Sequence, residues 1–173
     1  LAGTRLGLPE VLLGVLPGAG GTQRLPRLVP TELALELMLT GRQLQAHAAC
    51  EAGLVDELVP EGDICAAAMD YARKLVSQGQ APRRTRDLSA RQPASADLLP
   101  KALEQARQKH AAYPAPQRIV QCVQAAITLP FDEGLAIEST LFDECRRSPV
   151  SAALRHLFFA QREAARIPVL PAD

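Results

Sequence analysis

The chain has 173 residues, of which 47% are hydrophobic and 22% are charged, and this suits one globular domain with a real core. Its 19 acidic and 19 basic side chains cancel, and no apolar run is long enough to cross a bilayer, so neither nucleic acid nor a membrane is an expected partner. We expect the binding partner to be a small molecule or another protein.

The cysteines and histidines do not follow the spacing of a metal or disulfide site. The cysteines are widely separated with no C-x-x-C pair, which predicts reduced, buried thiols and a cytoplasmic location. The histidines lie on three different segments without an H-E-x-x-H motif or a nearby carboxylate, so neither a metal centre nor a nucleophilic triad is expected. The cysteines are Cys50, Cys65, Cys122 and Cys145, and the histidines are His47, His110 and His156.

The first residues carry no initiator methionine and no signal-peptide pattern and lead almost at once into an apolar stretch. We therefore expect the chain to begin inside a domain. Residues 4–8 are expected to be extended as far as Pro9, whose fixed φ favours the start of a helical turn that would include Glu10.

Helices dominate the rest of the predicted structure. Short helices are expected at residues 22–29, 31–40 and 47–52, and a strand at residues 54–59. Asp63 is expected to cap a longer helix with Ile64, Ala68, Tyr71 and Leu75 on one face. Four further helices are expected at residues 101–112, 116–128, 131–147 and 149–165.

Residues 79–100 are poor in apolar side chains and rich in Pro, Ser and Gln, which predicts a loop or linker between regions 1–78 and 101–173. Its run of arginines could contact a phosphate or simply form a solvated face. Two apolar stripes follow in the last two helices, and we expect them to pack on each other rather than line a cofactor site. The first contains Phe131, Leu135, Leu141, Phe142 and Cys145, and the second contains Val150, Leu154, Leu157 and Phe158.

Glu10 and the glycine cluster that follows it each have two interpretations. Glu10 could be an ordinary first-turn carboxylate, which the helix dipole favours, or a catalytic acid. Residues 18–22 (GAGGT) could form a tight turn, or could present backbone N–H groups to a ligand at a helix N-terminus. Their spacing is not G-x-G-x-x-G, so a nucleotide-binding fold is not expected.

The combination of motifs is more specific than any one of them. Residues 6–14 (LGLPEVLLG), 16–25 (LPGAGGTQRL), 39–42 (LTGR) and 52–56 (AGLVD) together resemble the enoyl-CoA hydratase/isomerase, or crotonase, family in order and spacing. The resemblance implies an α/β crotonase fold, truncated here and mostly α-helical with one or two short strands.

The resemblance also implies a chemistry. In that family two glutamates face the double bond of an α,β-unsaturated acyl-CoA, and two backbone N–H groups polarise the thioester carbonyl. Glu10 matches the second glutamate, the Gly18 N–H matches the group that helps hold the water, and Leu13 and Pro17 fall at substrate-binding positions. The other glutamate and both oxyanion donors lie upstream of this motif in the family. This chain therefore carries half of a site, and we expect it to be inactive alone and to self-associate or pack with the missing parts.

The carboxyl-terminal half resembles something narrower. Residues 129–135 (LPFDEGL), Glu138, residues 141–142 (LF) and residues 148–168 look like the region that joins the hydratase domain of multifunctional fatty-acid oxidation enzymes to their 3-hydroxyacyl-CoA dehydrogenase domain. The implied activity is syn hydration of trans-2-enoyl-CoA in β-oxidation, with isomerisation also open. No cofactor is expected in this domain. NAD is expected only in a downstream dehydrogenase domain. The alternative is a non-catalytic acyl-CoA-binding or assembly module on a crotonase scaffold.

Overall fold

The computed structural model describes residues 3–59, 62–109 and 111–165. Within these ranges the chain forms two short strands, eight α-helices and two 3₁₀ helices. The strands are β1 (Arg5–Leu6) and β2 (Leu44–Gln45), and the 3₁₀ helices are Glu10–Leu13 and Thr85–Asp87. The α-helices are α1 (Gly21–Leu28), α2 (Thr31–Thr40), α3 (Ala46–Glu51), α4 (Ile64–Ser77), α5 (Leu98–Lys109), α6 (Pro114–Thr128), α7 (Phe131–Arg147) and α8 (Pro149–Ala164).

The two strands form one small antiparallel ladder, in which Arg5 lies opposite Gln45 and Leu6 opposite Leu44. The extended segment expected before Pro9 is thus confirmed at β1. The strand predicted at residues 54–59 is wrong. The N–H groups of Leu54 and Val55 turn back onto the carbonyl of Ala49, at 2.8 and 3.4 Å, and no described residue pairs with this segment as a neighbouring strand. Without a ladder, its apolar residues cannot make a strand.

Local end signals position the early helices where the sequence predicts them. Gly41 ends α2 in the left-handed conformation, with a φ of 70°. The Asp63 carboxylate caps α4 by accepting hydrogen bonds from the N–H groups of Cys65 and Ala66. The apolar face of α4 nevertheless remains largely open, since none of its residues is buried and the Ile64 side chain is half exposed.

The regions on either side of residues 79–100 share one core. Helix α6 packs against α1, α2, α5 and α7. The largest fully buried apolar side chains come from the loop before α1, from the residue that ends α1, from α2 and from α6. They are Leu16, Val29, Leu37, Met38, Ile119 and Val123. Regions 1–78, 79–100 and 101–173 therefore differ in composition but do not have separate hydrophobic cores. Helix α5 begins at Leu98, inside the predicted loop.

The segment before α5 lies along the first two helices. The Arg91 N–H donates to the Pro26 carbonyl at 3.0 Å, and the Thr31 hydroxyl donates to the Arg91 carbonyl at 2.5 Å. The arginine run at its start has carboxylate partners, which supports the solvated-face interpretation. The pairs are Arg83 with Asp56, Arg84 with Asp87, and Arg86 with Asp132.

The four thiols are free, but they are not uniformly buried. Cys122 and Cys145 are buried, Cys50 is half-buried and Cys65 is exposed, so the prediction of buried thiols is wrong for Cys65. Cys65 lies on α4, none of whose residues is buried. Burial raises the pKa of Cys122 to about 12 and that of Cys145 to about 11.

The described ranges contain neither a metal site nor a helix that could span a membrane. There, no group of His, Cys, Asp or Glu side chains is arranged to hold a metal ion. No helix in the same ranges combines the length and apolarity needed to cross a bilayer. His47 and His156 are exposed, whereas His110 and residues 166–173, with the expected start of a linker, lie outside the described residues.

Candidate active site

Glu10 begins a short 3₁₀ helix, Glu10–Leu13, that directly follows Pro9. The Leu12 N–H donates to the Pro9 carbonyl at 3.0 Å. Gly14 then ends the helix with a φ of 68°, and a Cβ atom there would lie 3.0 Å from the Leu154 side chain of α8. The proximity of α8 and the left-handed backbone both explain why this position is glycine. The sequence prediction that Glu10 lies in a first helical turn is confirmed.

Glu10 is the acidic residue of the first turn of this helix. Its Oε2 atom is buried with no hydrogen-bond partner among the described residues. Leaving such an oxygen unpaired costs about 1–3 kcal/mol, and a helix of four residues has little dipole with which to offset that cost. The arrangement is what a group needs if it is to bind water or a ligand.

Glu10 opens onto a cavity of about 470 Å³ between the 3₁₀ helix and α8. The lining is mainly apolar and comes from both elements. It consists of Pro9, Glu10, Leu12, Leu13, Leu154, Leu157, Phe158 and Gln161. A carboxylate in such a mostly apolar pocket is a common arrangement for a binding or catalytic site.

Helix α8 contacts two neighbours. It packs against α7, as expected, and also against the 3₁₀ helix, where Leu154, Leu157 and Phe158 of its apolar stripe line the Glu10 cavity. The reason for the second contact is a polar anchor that the stripe pattern does not reveal. The fully buried Ser151 hydroxyl donates to the Leu13 carbonyl at 3.0 Å, and this bond holds the start of α8 over the 3₁₀ helix.

The glycine cluster forms a tight turn. The Gly21 N–H donates to the Gly18 carbonyl at 2.9 Å, and both central residues have positive φ, 53° at Ala19 and 80° at Gly20. These are the backbone angles of a type I′ turn. Gly18 packs against the Phe142 ring of α7, which a Cβ atom would approach to 3.3 Å. No described residue accepts a hydrogen bond from the Gly18 N–H.

The N-terminus of α1, which follows this turn, is occupied by a side chain of the same chain. The Glu138 carboxylate of α7 accepts from the Gly20 N–H at 2.6 Å, from the Thr22 N–H at 3.0 Å and from the Thr22 hydroxyl at 2.5 Å. An anion at a helix N-terminus is favoured by the free N–H groups and the dipole. Of the two interpretations of the glycine cluster, the tight turn is therefore confirmed, and these two N–H groups are not available to a ligand.

Sequence reasoning missed the role of Glu138, which was noticed only as one residue of a pattern. A signal was available. Phe131, Gly134, Glu138 and Cys145 are the buried positions of α7 and follow helical spacing. A carboxylate on a buried stripe must have partners, because burying an unpaired charge is costly. The sequence did not show which donors they would be.

The four predicted site residues fall in two places. Glu10 and Leu13 line the same cavity. Gly18 lies at the glycine turn, and Pro17 is fully buried beside it, where a Cβ atom on Gly21 would approach the Pro17 ring to 2.8 Å. Neither Gly18 nor Pro17 lines the Glu10 cavity in the described part of the chain.

A family model described as enoyl-CoA hydratase/isomerase matches residues 2–132, which is more than half of the chain. The chain belongs to this family. It is also similar to the crystal structure of carnitinyl-CoA hydratase from Mycobacterium avium, with 27% identity and a TM-score of 0.59, over 99% of this chain and 53% of that one. A crystal structure of an enoyl-CoA hydratase from Geobacillus kaustophilus matches with 27% identity and a TM-score of 0.40, over 91% of this chain and 47% of that one.

This enoyl-CoA hydratase/isomerase chain thus spans about half the length of the solved structures that it matches. Its fold is the helix-rich part of a crotonase fold with two short strands, as the sequence predicts. The match to the carnitinyl-CoA hydratase extends beyond the residues that the family model covers, and so it includes α7 and α8.

Proposed function

We propose that this chain carries part of the active site of an enoyl-CoA hydratase and that Glu10 is its acid/base residue. One observation carries the proposal. The buried Oε2 atom of Glu10 has no partner among the described residues, and Glu10 lines an apolar cavity, in a chain of the enoyl-CoA hydratase/isomerase family.

Hydration of a trans-2-enoyl-CoA needs two things that this site is suited to supply. A base must take a proton from water as its oxygen adds to the β-carbon, and an acid must deliver a proton to the α-carbon. Glu10 supplies one of these carboxylates. The Gly18 N–H orients the water, and Leu13 contacts the acyl group. Pro17 was expected to bind substrate as well, but it is fully buried, so its role here is to support the glycine turn from inside the core. The second carboxylate, and the donors that stabilise enolate charge on the thioester oxygen, would come from residues outside this chain.

Isomerisation of the double bond is the second candidate. Glu10 is the only titratable side chain lining its cavity within the described residues. A single base on one face of the substrate can take a proton from one carbon and return it to another. The two activities are separated by the product, because hydration removes the conjugated double bond and isomerisation moves it.

The proposal is tested by replacing Glu10→Gln in the full-length protein that bears this chain. We expect hydration of crotonyl-CoA to fall by about 10²- to 10⁴-fold while acyl-CoA binding persists, because the amide keeps the volume and loses the acid/base function. The matched control is Glu133→Gln, an exposed first-turn glutamate of α7, which should leave turnover unchanged. Equal turnover per folded molecule in wild type and Glu10→Gln would contradict the catalytic role and favour the non-catalytic binding module.

We also propose the finer context implied by residues 129–168, a multifunctional β-oxidation protein. Since the carnitinyl-CoA hydratase match includes α7 and α8, those helices alone do not distinguish this context, and the reading frame decides it. A dehydrogenase domain should follow Asp173, opening with a strand and G-x-G-x-x-G. A reading frame that ends soon after Asp173 would contradict this context.

The chain of 173 residues on its own is proposed to be inactive. It spans about half of the matched structures, and half of a site would not stabilise the enolate. Purified chain should not consume crotonyl-CoA above background, and saturable turnover would contradict the proposal. We further propose that it self-associates or packs with other parts of its parent through exposed apolar residues, which include Ile64, Met69, Val76 and Phe159.

A further inference from the structure

Glu138 is the only carboxylate residue in the buried core of the described part of the chain. It is 2% exposed, and its two oxygens accept three hydrogen bonds from Gly20 and Thr22. The donors belong to the glycine turn and to the start of α1, whereas Glu138 lies in the middle of α7. One side chain therefore joins two elements that are more than a hundred residues apart in sequence.

The turn that Glu138 contacts has an unfavourable backbone. Ala19 has a φ of 53°, and a residue with a Cβ atom in this region is strained by about 1–2 kcal/mol. Strain of this kind persists only where the surroundings over-determine the conformation, and it concentrates at functional sites. The hydrogen bond from the Gly20 N–H to Glu138 fixes the peptide directly after Ala19.

Glu138 is itself held in place by close packing between α7 and α1. The fully buried Gln23 side chain of α1 donates to the Cys122 carbonyl of α6 at 3.0 Å and to the Thr22 hydroxyl at 3.1 Å. Gln23 also fills the space over Gly134, where a Cβ atom would overlap its amide oxygen. The carboxylate therefore has little freedom to follow the turn if the turn moves.

We propose that Glu138 is a positioning residue, which holds the turn so that the Gly18 N–H keeps one fixed direction. The inference rests on the proposed function, in which that N–H orients the water. Gly18 lies two residues before Gly20, and its carbonyl is tied to the Gly21 N–H across the turn. Releasing Gly20 and Thr22 from Glu138 would thus let the whole turn, and with it the Gly18 N–H, change direction.

The experiment replaces Glu138→Gln in the full-length protein and measures both catalysis and hydrogen exchange. The amide keeps the shape but offers N–H groups where Thr22 needs an acceptor. We expect kcat for crotonyl-CoA hydration to fall by about 10- to 100-fold, because a small misplacement of a reacting group lowers the rate by that order. KM should change by less than about threefold. Exchange of the Gly20 and Thr22 amides should rise. The matched control is Glu144→Gln, an exposed glutamate of the same helix that pairs with Arg118, which should change neither measurement.

Each outcome supports or overturns a separate part of the inference. Faster exchange with unchanged kcat would show that Glu138 stabilises the turn without positioning a catalytic group. Unchanged exchange of the Gly20 and Thr22 amides would overturn the claim that Glu138 holds the turn, which we call the clamp. A wild-type protein without turnover would overturn the proposed function, and the exchange measurement would still test the clamp. If Glu138→Gln does not fold, Thr22→Val removes the hydroxyl that donates to Glu138 and accepts from Gln23, and leaves the Gly20 and Thr22 N–H bonds to Glu138 in place. A smaller decrease in kcat, again with unchanged KM, is then expected.

Discussion

Two glutamates of this chain show how the surroundings of a carboxylate decide its use. Glu138 is buried with three donors around it, whereas one buried oxygen of Glu10 has none among the described residues. A satisfied carboxylate stabilises the structure around it and has no capacity left for a ligand. The unsatisfied one retains that capacity, which is why we propose the acid/base role for Glu10 and the positioning role for Glu138.

Ala19 offers a test of strain at single-residue scale. Replacing Ala19→Gly should raise the free energy of unfolding by up to about 1 kcal/mol, since relief of the left-handed backbone outweighs the added freedom of glycine in the unfolded chain. Ala19→Val should lower it by more than 1 kcal/mol, because a branched side chain tolerates positive φ less well. Urea denaturation of the three proteins measures both changes. If Ala19→Val stabilised the protein, the left-handed backbone at Ala19 would not be strained.

The surroundings of the candidate site were predictable from sequence only where their signals are local. The helical turn that holds Glu10 directly follows Pro9, as the sequence predicts. The partners of Glu138 could not be predicted, because Gly20 and Thr22 lie 118 and 116 residues away. The cavity over Glu10 was missed for the same reason, since the Ser151 bond to Leu13 spans 138 residues.

At the scale of elements, α7 and α1 meet through a position without a side chain. Gly134 lies in the first turns of α7 and allows the buried Gln23 amide to pass directly over the helix backbone. Gln23 then reaches the Cys122 carbonyl of α6. Three helices are joined at this one point, and it is the packing of α7 here that brings Glu138 to the glycine turn.

Gly134→Ala should therefore destabilise the protein. Helix propensity alone favours alanine by about 1 kcal/mol, but the new Cβ would overlap the Gln23 amide oxygen and lie 2.8 Å from its carbon. We expect the free energy of unfolding to fall by about 1–3 kcal/mol, as for other overpacked cores. The control is Ser139→Ala at an exposed position of the same helix, which should change it little. If Gly134→Ala stabilises the protein in thermal or urea unfolding, the tight contact is refuted.

Most helices were predictable because their ends are signalled by adjacent residues. Asp63 caps α4 and Gly41 ends α2 in the positions that the sequence indicates. Residues 54–59 have the composition of a strand, but composition does not supply a hydrogen-bonded neighbour, and they turn back on Ala49 instead. Helix α8 packs on α7 as expected, but its second contact, with the 3₁₀ helix, was not predicted because an apolar stripe does not specify every surface that it will contact.

For the molecule as a whole, one core encloses two of the four thiols. Burial raises the pKa of Cys122 to about 12 and that of Cys145 to about 11, so both remain protonated in the folded state at neutral pH. Cys65 is exposed on α4. The thiolate is the reactive form, and the core therefore protects two cysteines both by excluding reagent and by keeping them neutral.

Native protein at pH 8 should react with iodoacetamide first at Cys65, and at Cys122 and Cys145 only after unfolding. Mass spectrometry with and without guanidinium measures the difference. Because the folded pKa values lie above those of the unfolded chain, the stability from the two neutral thiols is complete below about pH 8.5 and is lost as the pH rises toward 11 and 12. If Cys122 of the native protein were alkylated as fast as Cys65, the Cys122 thiol would not be buried.

The bonds from Glu138 to Gly20 and Thr22 also set an order of events during synthesis. The glycine turn leaves the ribosome long before its acceptor, because 116 residues separate Thr22 from Glu138. At bacterial and eukaryotic elongation rates of about 5–20 residues per second, that interval is on the order of 10 s. Throughout it the turn lacks the carboxylate that holds it, so the contact between the turn and α7 can form only after Glu138 has emerged.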